Sequence, residues 1–154
     1  MVISKDFIVR SAILADVPEL VPLFAAYRTF YQLTSDAAQL KAYLSARLSA
    51  EDSQIFVVQV GEQLVGFTQL YPAWCSLALE RYYTLYDLYV TESYRRRGLA
   101  ARLMAAATDW AGQQGADRLE LATGVDNRDA QALYRAMGWQ RDCAFLHFSL
   151  PLNS

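Results

Sequence analysis

Leu88-Tyr89-Val90-Thr91-Glu92-Ser93-Tyr94-Arg95-Arg96-Arg97-Gly98-Leu99-Ala100-Ala101 is the stretch on which the reading of this chain turns. A β-rich run ends at Val90, passes through a short polar loop, and enters a helix that opens at or just before Gly98. Successive backbone N–H groups at a helix start, backed by the helix dipole, form a nest for an anion. Gly98 has no Cβ and lets a phosphate approach the backbone closely; Ala100 is the next smallest choice. Arg95, Arg96, Arg97 and Arg102 put cationic groups around the same point. This is the chemistry a pyrophosphate needs. On composition alone, three arginines before a helix are equally a solvated surface. Neither G-x-x-x-x-G-K-[ST] nor G-x-G-x-x-G occurs, so other phosphate loops are excluded.

Upstream, Ile8 and Val9 read as a first strand. Asp16 reads as an N-cap with Glu19 as its capping-box partner, followed by Val17, Leu20, Val21, Phe24, Tyr27 and Tyr31 at helical spacing. Ser35 reads as the cap of a second helix carrying Leu40, Tyr43, Leu44 and Leu48. Ile55 to Val60 and Leu64 to Leu70 form a hairpin about Gly61-Glu62, Pro72 interrupts the pattern, and Tyr82 to Val90 is a third β-like run. Downstream, Leu99, Leu103, Ala106 and Trp110 share one helix face. Leu119 to Ala122 alternates as a strand, and Ala130, Leu133, Tyr134 and Met137 are helical with Gly138 as the closing residue. Ala144 to Leu150 alternates as a last strand.

The order β-α-α-β-β-β-α-β-α-β predicts an α/β fold with a mixed sheet and helices on both faces. Nothing marks an internal boundary, so one domain over residues 1–154 is expected.

With 154 residues, 54% hydrophobic and 19% charged, the chain is not intrinsically disordered and has the length of one core. A net charge of −2 gives no basic field for nucleic acid. No apolar stretch is long enough to span a membrane. Cys75, Cys143 and His147 make neither a disulfide scaffold nor a metal site. A cytoplasmic protein is expected.

Arg95-Arg96-Arg97-Gly98-Leu99-Ala100 resembles the [Q/R]-x-x-G-x-[G/A] signature of the GNAT superfamily of N-acetyltransferases, small bacterial members of histone or polyamine type in particular. A second stretch resembles another signature of that superfamily, an Asn that opens a helix, then Ala, Leu-Tyr, Gly and an aromatic: Asn127-Arg128-Asp129-Ala130-Gln131-Ala132-Leu133-Tyr134-Arg135-Ala136-Met137-Gly138-Trp139. The resemblance implies a splayed sheet with acetyl-CoA wedged between Tyr82–Val90 and Leu119–Ala122. It implies that the backbone of Leu88, Tyr89 and Val90 pairs with the pantetheine arm and that Arg95, Arg96, Arg97, Gly98, Leu99, Ala100 and Ala101 hold the pyrophosphate. Asn127 binds the cofactor near the pantetheine, and Tyr134 sits beside the sulfur and protonates the leaving thiolate.

The base is open. Tyr86 stands where some relatives carry a Glu, and Asp87 is the nearest acid, although strand alternation would point it away from the site. Glu80, Glu120 and a water chain are further candidates. Tyr31, Trp74, Tyr82 and Tyr86, with Glu80 and Asp36 nearby, suit a cationic amine, although most such rings are core residues. The expected activity is direct acetyl transfer to a primary amine, a small one ahead of a protein tail. The alternative is a silent acyl-CoA-binding domain of the same fold. The last strand offers an edge on which a homodimer is expected.

Overall fold

A computed structural model describes residues 6–153. The chain falls into two compact units, Met1–Ala122 and Thr123–Ser154, which are taken in turn.

In the first unit, β1 (Phe7–Ser11), β2 (Gln54–Val60), β3 (Gln63–Cys75), β4 (Glu80–Val90) and β5 (Arg118–Glu120) form one sheet in that spatial order. β1 to β4 are antiparallel, and β5 joins β4 in parallel, so the sheet is mixed as expected. Helices α1 (Val17–Phe30) and α2 (Ala37–Ala50) cover one face. There Val17, Leu20, Phe24, Leu40 and Leu44 pack on Ile55, Val57, Leu64 and Phe67. Helix α3 (Leu99–Gln113) covers the other face, with the Trp110 ring against Phe56 and Tyr83. Gly66 lies opposite Val90, and a Cβ there would stand 2.9 Å from the Tyr89 carbonyl oxygen and 3.5 Å from Leu103 of α3. Its bareness lets β3, β4 and α3 meet closely. Among the described residues no helix is long and apolar enough to cross a membrane.

Several local expectations are corrected. Asp16 forms no capping box with Glu19. Its carboxylate accepts from the Arg10 guanidinium and from the Ile13 N–H, closing a short 3-10 turn at Leu14–Asp16, while Glu19 accepts from the Leu64 N–H at 3.0 Å. Tertiary partners outbid the local motif. Asp36, not Ser35, caps α2, by accepting from the Ala38 N–H. Pro72 lies inside β3 rather than ending it. The β2 ladder stops at Leu70, so Pro72 sits where that edge needs no donor.

In the second unit, α4 (Arg128–Ala136) opens on Asn127, whose side-chain oxygen accepts from the Ala130 N–H at 3.3 Å. It closes at Gly138 (φ +89°). The Trp139 N–H returns to the Tyr134 carbonyl and the Gly138 N–H to that of Arg135, the Schellman arrangement. Ala144 to Leu150 takes no strand conformation. Alternation describes a strand only where a ladder partner exists, and none reaches this segment among the described residues. The edge on which a homodimer was expected is therefore absent.

Candidate active site

β4 is bonded to β5 only at Tyr82, Tyr83 and Thr84, opposite Arg118, Leu119 and Glu120. β5 is shorter than the expected Leu119–Ala122 and begins one residue earlier. From Leu85 to Val90 that edge of β4 has no strand beside it among the described residues. β5 is paired over its whole length and ends at Glu120, so beyond Thr84 the edge of β4 is left without it.

Between Leu70↔Leu85 and Gln69↔Asp87 the β3–β4 register shifts, leaving Tyr86 as an extra residue. Strict alternation would put Tyr83, Leu85, Asp87 and Tyr89 on one face. The bulge switches the parity. Tyr83 faces Trp110 of α3, whereas Asp87 and Tyr89 face Tyr27 of α1.

Asp87 is 4% exposed. Its Oδ2 accepts from Gln69 Nε2 at 3.1 Å, and its carbonyl accepts from the Thr68 hydroxyl at 2.7 Å. Burial pushes the Asp87 carboxyl up from the usual carboxylate range, against the pull of hydrogen bonds from Gln69 and Tyr27. Burial, then the Asp87 charge, pushes the Tyr27 phenol up, and its hydroxyl also lies 3.5 Å from the Tyr86 carbonyl oxygen.

A wall of phenol rings adjoins this carboxyl. Tyr27 meets Tyr31 edge-on at 5.2 Å, Tyr86 meets Tyr71 at 5.7 Å, and the Tyr71 and Tyr43 hydroxyls are hydrogen-bonded to each other. Of the expected acceptor residues, Tyr31 and Tyr86 join this wall, both exposed. Tyr82 lies nearer the hairpin end of β4, its ring under the Arg118 guanidinium at 4.4 Å. Trp74 faces the opposite side of the sheet, against Arg81. Glu80 is ion-paired to Arg118, which also binds Glu120. Tyr27, on the helix that Tyr31 closes, joins the wall as well, and Tyr43, Tyr71 and Gln69 are additions to the expected set. The signal for Gln69 was two polar residues, Thr68 and Gln69, inside the apolar run from Leu64 to Leu70.

Beyond Val90 the loop folds on its own arginines. Arg95 Nε donates to the Val90 carbonyl at 2.9 Å, with its guanidinium over the Tyr89 ring, and Arg97 lies over Tyr94. Arg102 donates to the Phe7 carbonyl at 2.9 Å. Arg96 (φ +60°) and Gly98 (φ +72°) both take left-handed backbone, which bends the loop sharply into α3. The first intrahelical donor is the Arg102 N–H to Gly98, so the N–H groups of Leu99, Ala100 and Ala101 precede the helix ladder. Gly98 has no side chain of its own to cap the helix, and among the described residues a Cβ there would meet nothing within 4 Å. This open nest can accept an anion.

Asn127 and Tyr134 belong to the second unit. Asn127 uses its side-chain oxygen as the α4 cap, and the Tyr134 ring lies 6.3 Å from that of Trp139.

The family model described as acetyltransferase (GNAT) family matches residues 18–139. The Bacillus subtilis (strain 168) protein named "Uncharacterized N-acetyltransferase YhfO" is 41% identical over 142 residues, covering 92% of this chain and 95% of that protein. A crystal structure of a probable acetyltransferase superposes with a TM-score of 0.89 at 35% identity, over 96% of this chain and 99% of the other. Aminoglycoside N-acetyltransferase AAC(6')-Iy, solved in complex with CoA, shares the fold. Its TM-score is 0.83 at 16% identity, over 97% of this chain and 98% of that one.

Proposed function

The chain belongs to the GNAT family and is an N-acetyltransferase, and from that premise we propose that it transfers acetyl directly from acetyl-CoA to a small primary amine. One observation carries the reading: among the described residues the edge of β4 is unpaired from the buried Asp87 to Val90, and the loop that follows it ends in the nest at Gly98. A thioester laid along that edge has its pyrophosphate at one end and a proton acceptor at the other.

In this reading the backbone of Leu88, Tyr89 and Val90 pairs with the pantetheine arm as an added strand would. The N–H groups from Arg96 to Ala101 take the pyrophosphate, and Asn127 binds the arm near its middle. Asp87 accepts the proton that the ammonium must lose, and burial favours this by raising the carboxyl's proton affinity. The amine lone pair attacks the thioester carbonyl, and a backbone N–H of the strand stabilises the oxyanion. Collapse expels the thiolate, which takes the Tyr134 proton, and the second proton that the nitrogen sheds on becoming an amide returns Tyr134 to the phenol. One domain over residues 1–154 is part of this proposal, supported by a family match that runs across residues 122 and 123.

The ring wall supports the substrate class. Phenol faces attract an ammonium, and Asp87 supplies one negative charge behind them. Glu80 is bound to Arg118 and Asp36 caps α2, so both further expected acids already have partners. That favours an amine with a single cationic centre over a polycation such as an aminoglycoside.

The test is a panel of mono-, di- and polyamines read by thiol release from acetyl-CoA. Monoamines should lead. Tyr134→Phe keeps the ring and should lower turnover by roughly 10²–10⁴-fold with the acetyl-CoA KM nearly unchanged. Turnover within about threefold of the parent, with chemistry rate-limiting, removes Tyr134 from the mechanism.

A further inference from the structure

Asp87 does not stand alone in the core. Gln69 is its cross-strand partner at the last register position before the Tyr86 bulge, which puts the two side chains on one face. Gln69 is 0% exposed, so both ends of its amide require partners. The Nε2 end donates to Asp87 Oδ2 at 3.1 Å, and the Oε1 end accepts from the Ser53 hydroxyl at 2.9 Å. Ser53 immediately precedes β2 and is half-buried, on the wall of a cavity of about 340 Å³ shared with Asp52, Arg81 and Trp110. A line of hydrogen bonds thus runs from that cavity wall to the buried carboxyl.

The direction of each bond follows from the chemistry. An ionised carboxylate only accepts, so the amide must present its N–H₂ to Asp87 and its oxygen away from it. An amide oxygen only accepts, so the Ser53 hydroxyl must donate. A hydroxyl at position 53 therefore favours the one amide orientation that supports a carboxylate.

We propose that Ser53 and Gln69 are a positioning pair that orients the Asp87 carboxyl and sets its ionisation for acetyl transfer. The inference rests on the reading of Asp87 as proton acceptor only for its effect on rate, not for its effect on the carboxyl. The other groups facing Asp87 are Tyr27 from α1 and Tyr71 from β3, the latter bonded to Tyr43 of α2, whose ring lies under Arg47. α3 presents apolar residues such as Leu103 and Met104 to the sheet's other face, and β5 brings Arg118 and Glu120 beside Tyr82, further up the strand. Burial already raises the carboxyl's proton affinity, and the Gln69 N–H₂ opposes it by favouring the charged form. Removing that donor moves the titration further up.

The experiment follows the Asp87 side-chain carbon by 13C NMR across pH in the full chain, with Asp87→Asn as the assignment control, beside the pH profile of kcat/KM. Gln69→Leu should move the carboxyl titration to higher pH and carry the acid limb of the profile with it. That costs roughly tenfold in kcat/KM below the limb. Ser53→Ala should act in the same direction by less, and Ser53→Thr, which keeps the hydroxyl, should restore the parent titration. If Gln69→Leu does not fold, the two Ser53 variants decide. A titration unmoved in Ser53→Ala, and in Gln69→Leu where it folds, overturns the pair. A titration that moves while the rate profile stays fixed sustains the pair and removes Asp87 from the role of base.

Discussion

The two halves of β4 use similar residues to opposite ends. In the first half the strand has a neighbour on each edge from Tyr82 to Thr84, and charge closes the outer one: Arg118 joins Glu80 and Glu120 while lying over the Tyr82 ring. From Leu85 to Val90 one edge has no strand partner among the described residues, Tyr86 bulges, and the acid turns inward to 4% exposure. In the first half the acid is held at the surface by a guanidinium. In the second it is desolvated and held by neutral donors, Gln69 and Tyr27. The comparison teaches that one strand becomes scaffold or site according to what borders it. A paired edge uses up its backbone groups, whereas an open one offers them to a ligand.

Breaking the second half should have the largest effect. Asp87→Asn removes the proton acceptor and should lower turnover by roughly 10²–10⁴-fold. Stability should move the other way. A carboxyl whose folded value is raised by burial loses stability as pH climbs from its ordinary value to the raised one, because the unfolded chain ionises first. The loss levels off once the folded carboxyl has ionised too. The variant lacks that loss, and Gln69 can turn its amide oxygen toward the new amide. Thermal melts between pH 4 and 8 should show a flatter profile than the parent and a Tm at pH 7.5 no lower than the parent's. A Tm several degrees lower would mean that the ionised carboxylate holds the fold together, and the contrast between the halves would fail.

Next in size is the loop to which the open edge leads. Coenzyme A at about 100 times its Kd should stabilise the parent by about 2.7 kcal/mol, roughly 5–10 °C for a chain of this length. Gly98→Asp should erase most of that shift by setting a negative charge in the nest. The unliganded variant should still fold. The space around Gly98 is open, and the left-handed backbone is one that Asp tolerates. A full ligand shift in the variant would mean that the phosphate sits elsewhere.

How far the sequence could be read follows the same division. The β4–α3 junction was legible because Gly98 and its arginines are contiguous, and α4 because Asn127 and Gly138 mark both ends. The orientation of Asp87 was not, because one extra residue at Tyr86 reverses alternation without changing composition. Gln69 and Ser53 were missed because they lie far from Asp87 in sequence, and only strand pairing brings them together. Trp74 was grouped with Tyr86 on aromatic character, yet the hairpin sends the two rings to opposite faces. The Asp16–Glu19 box and the strand over Ala144 to Leu150 were local patterns without the partners that would realise them.

The smallest effect should come from the paired half. Glu80→Gln keeps the side-chain volume and removes the charge that faces Arg118. Both side chains are about one-third exposed, 34% and 35%, so water screens the pair, and Arg118 keeps Glu120 as a partner. Ion pairs this exposed contribute little, and the Tm should fall by no more than about 2 °C. Turnover and both KM values should stay within about twofold of the parent, because Tyr82 remains under the guanidinium and Asp87 lies seven residues along the strand. The measurement sharpens the contrast because Glu80 and Asp87 are both acids of β4. If Glu80→Gln lowered turnover a hundredfold while Asp87→Asn did not, the acid that matters would sit in the paired half. The bulge at Tyr86 would then serve packing alone.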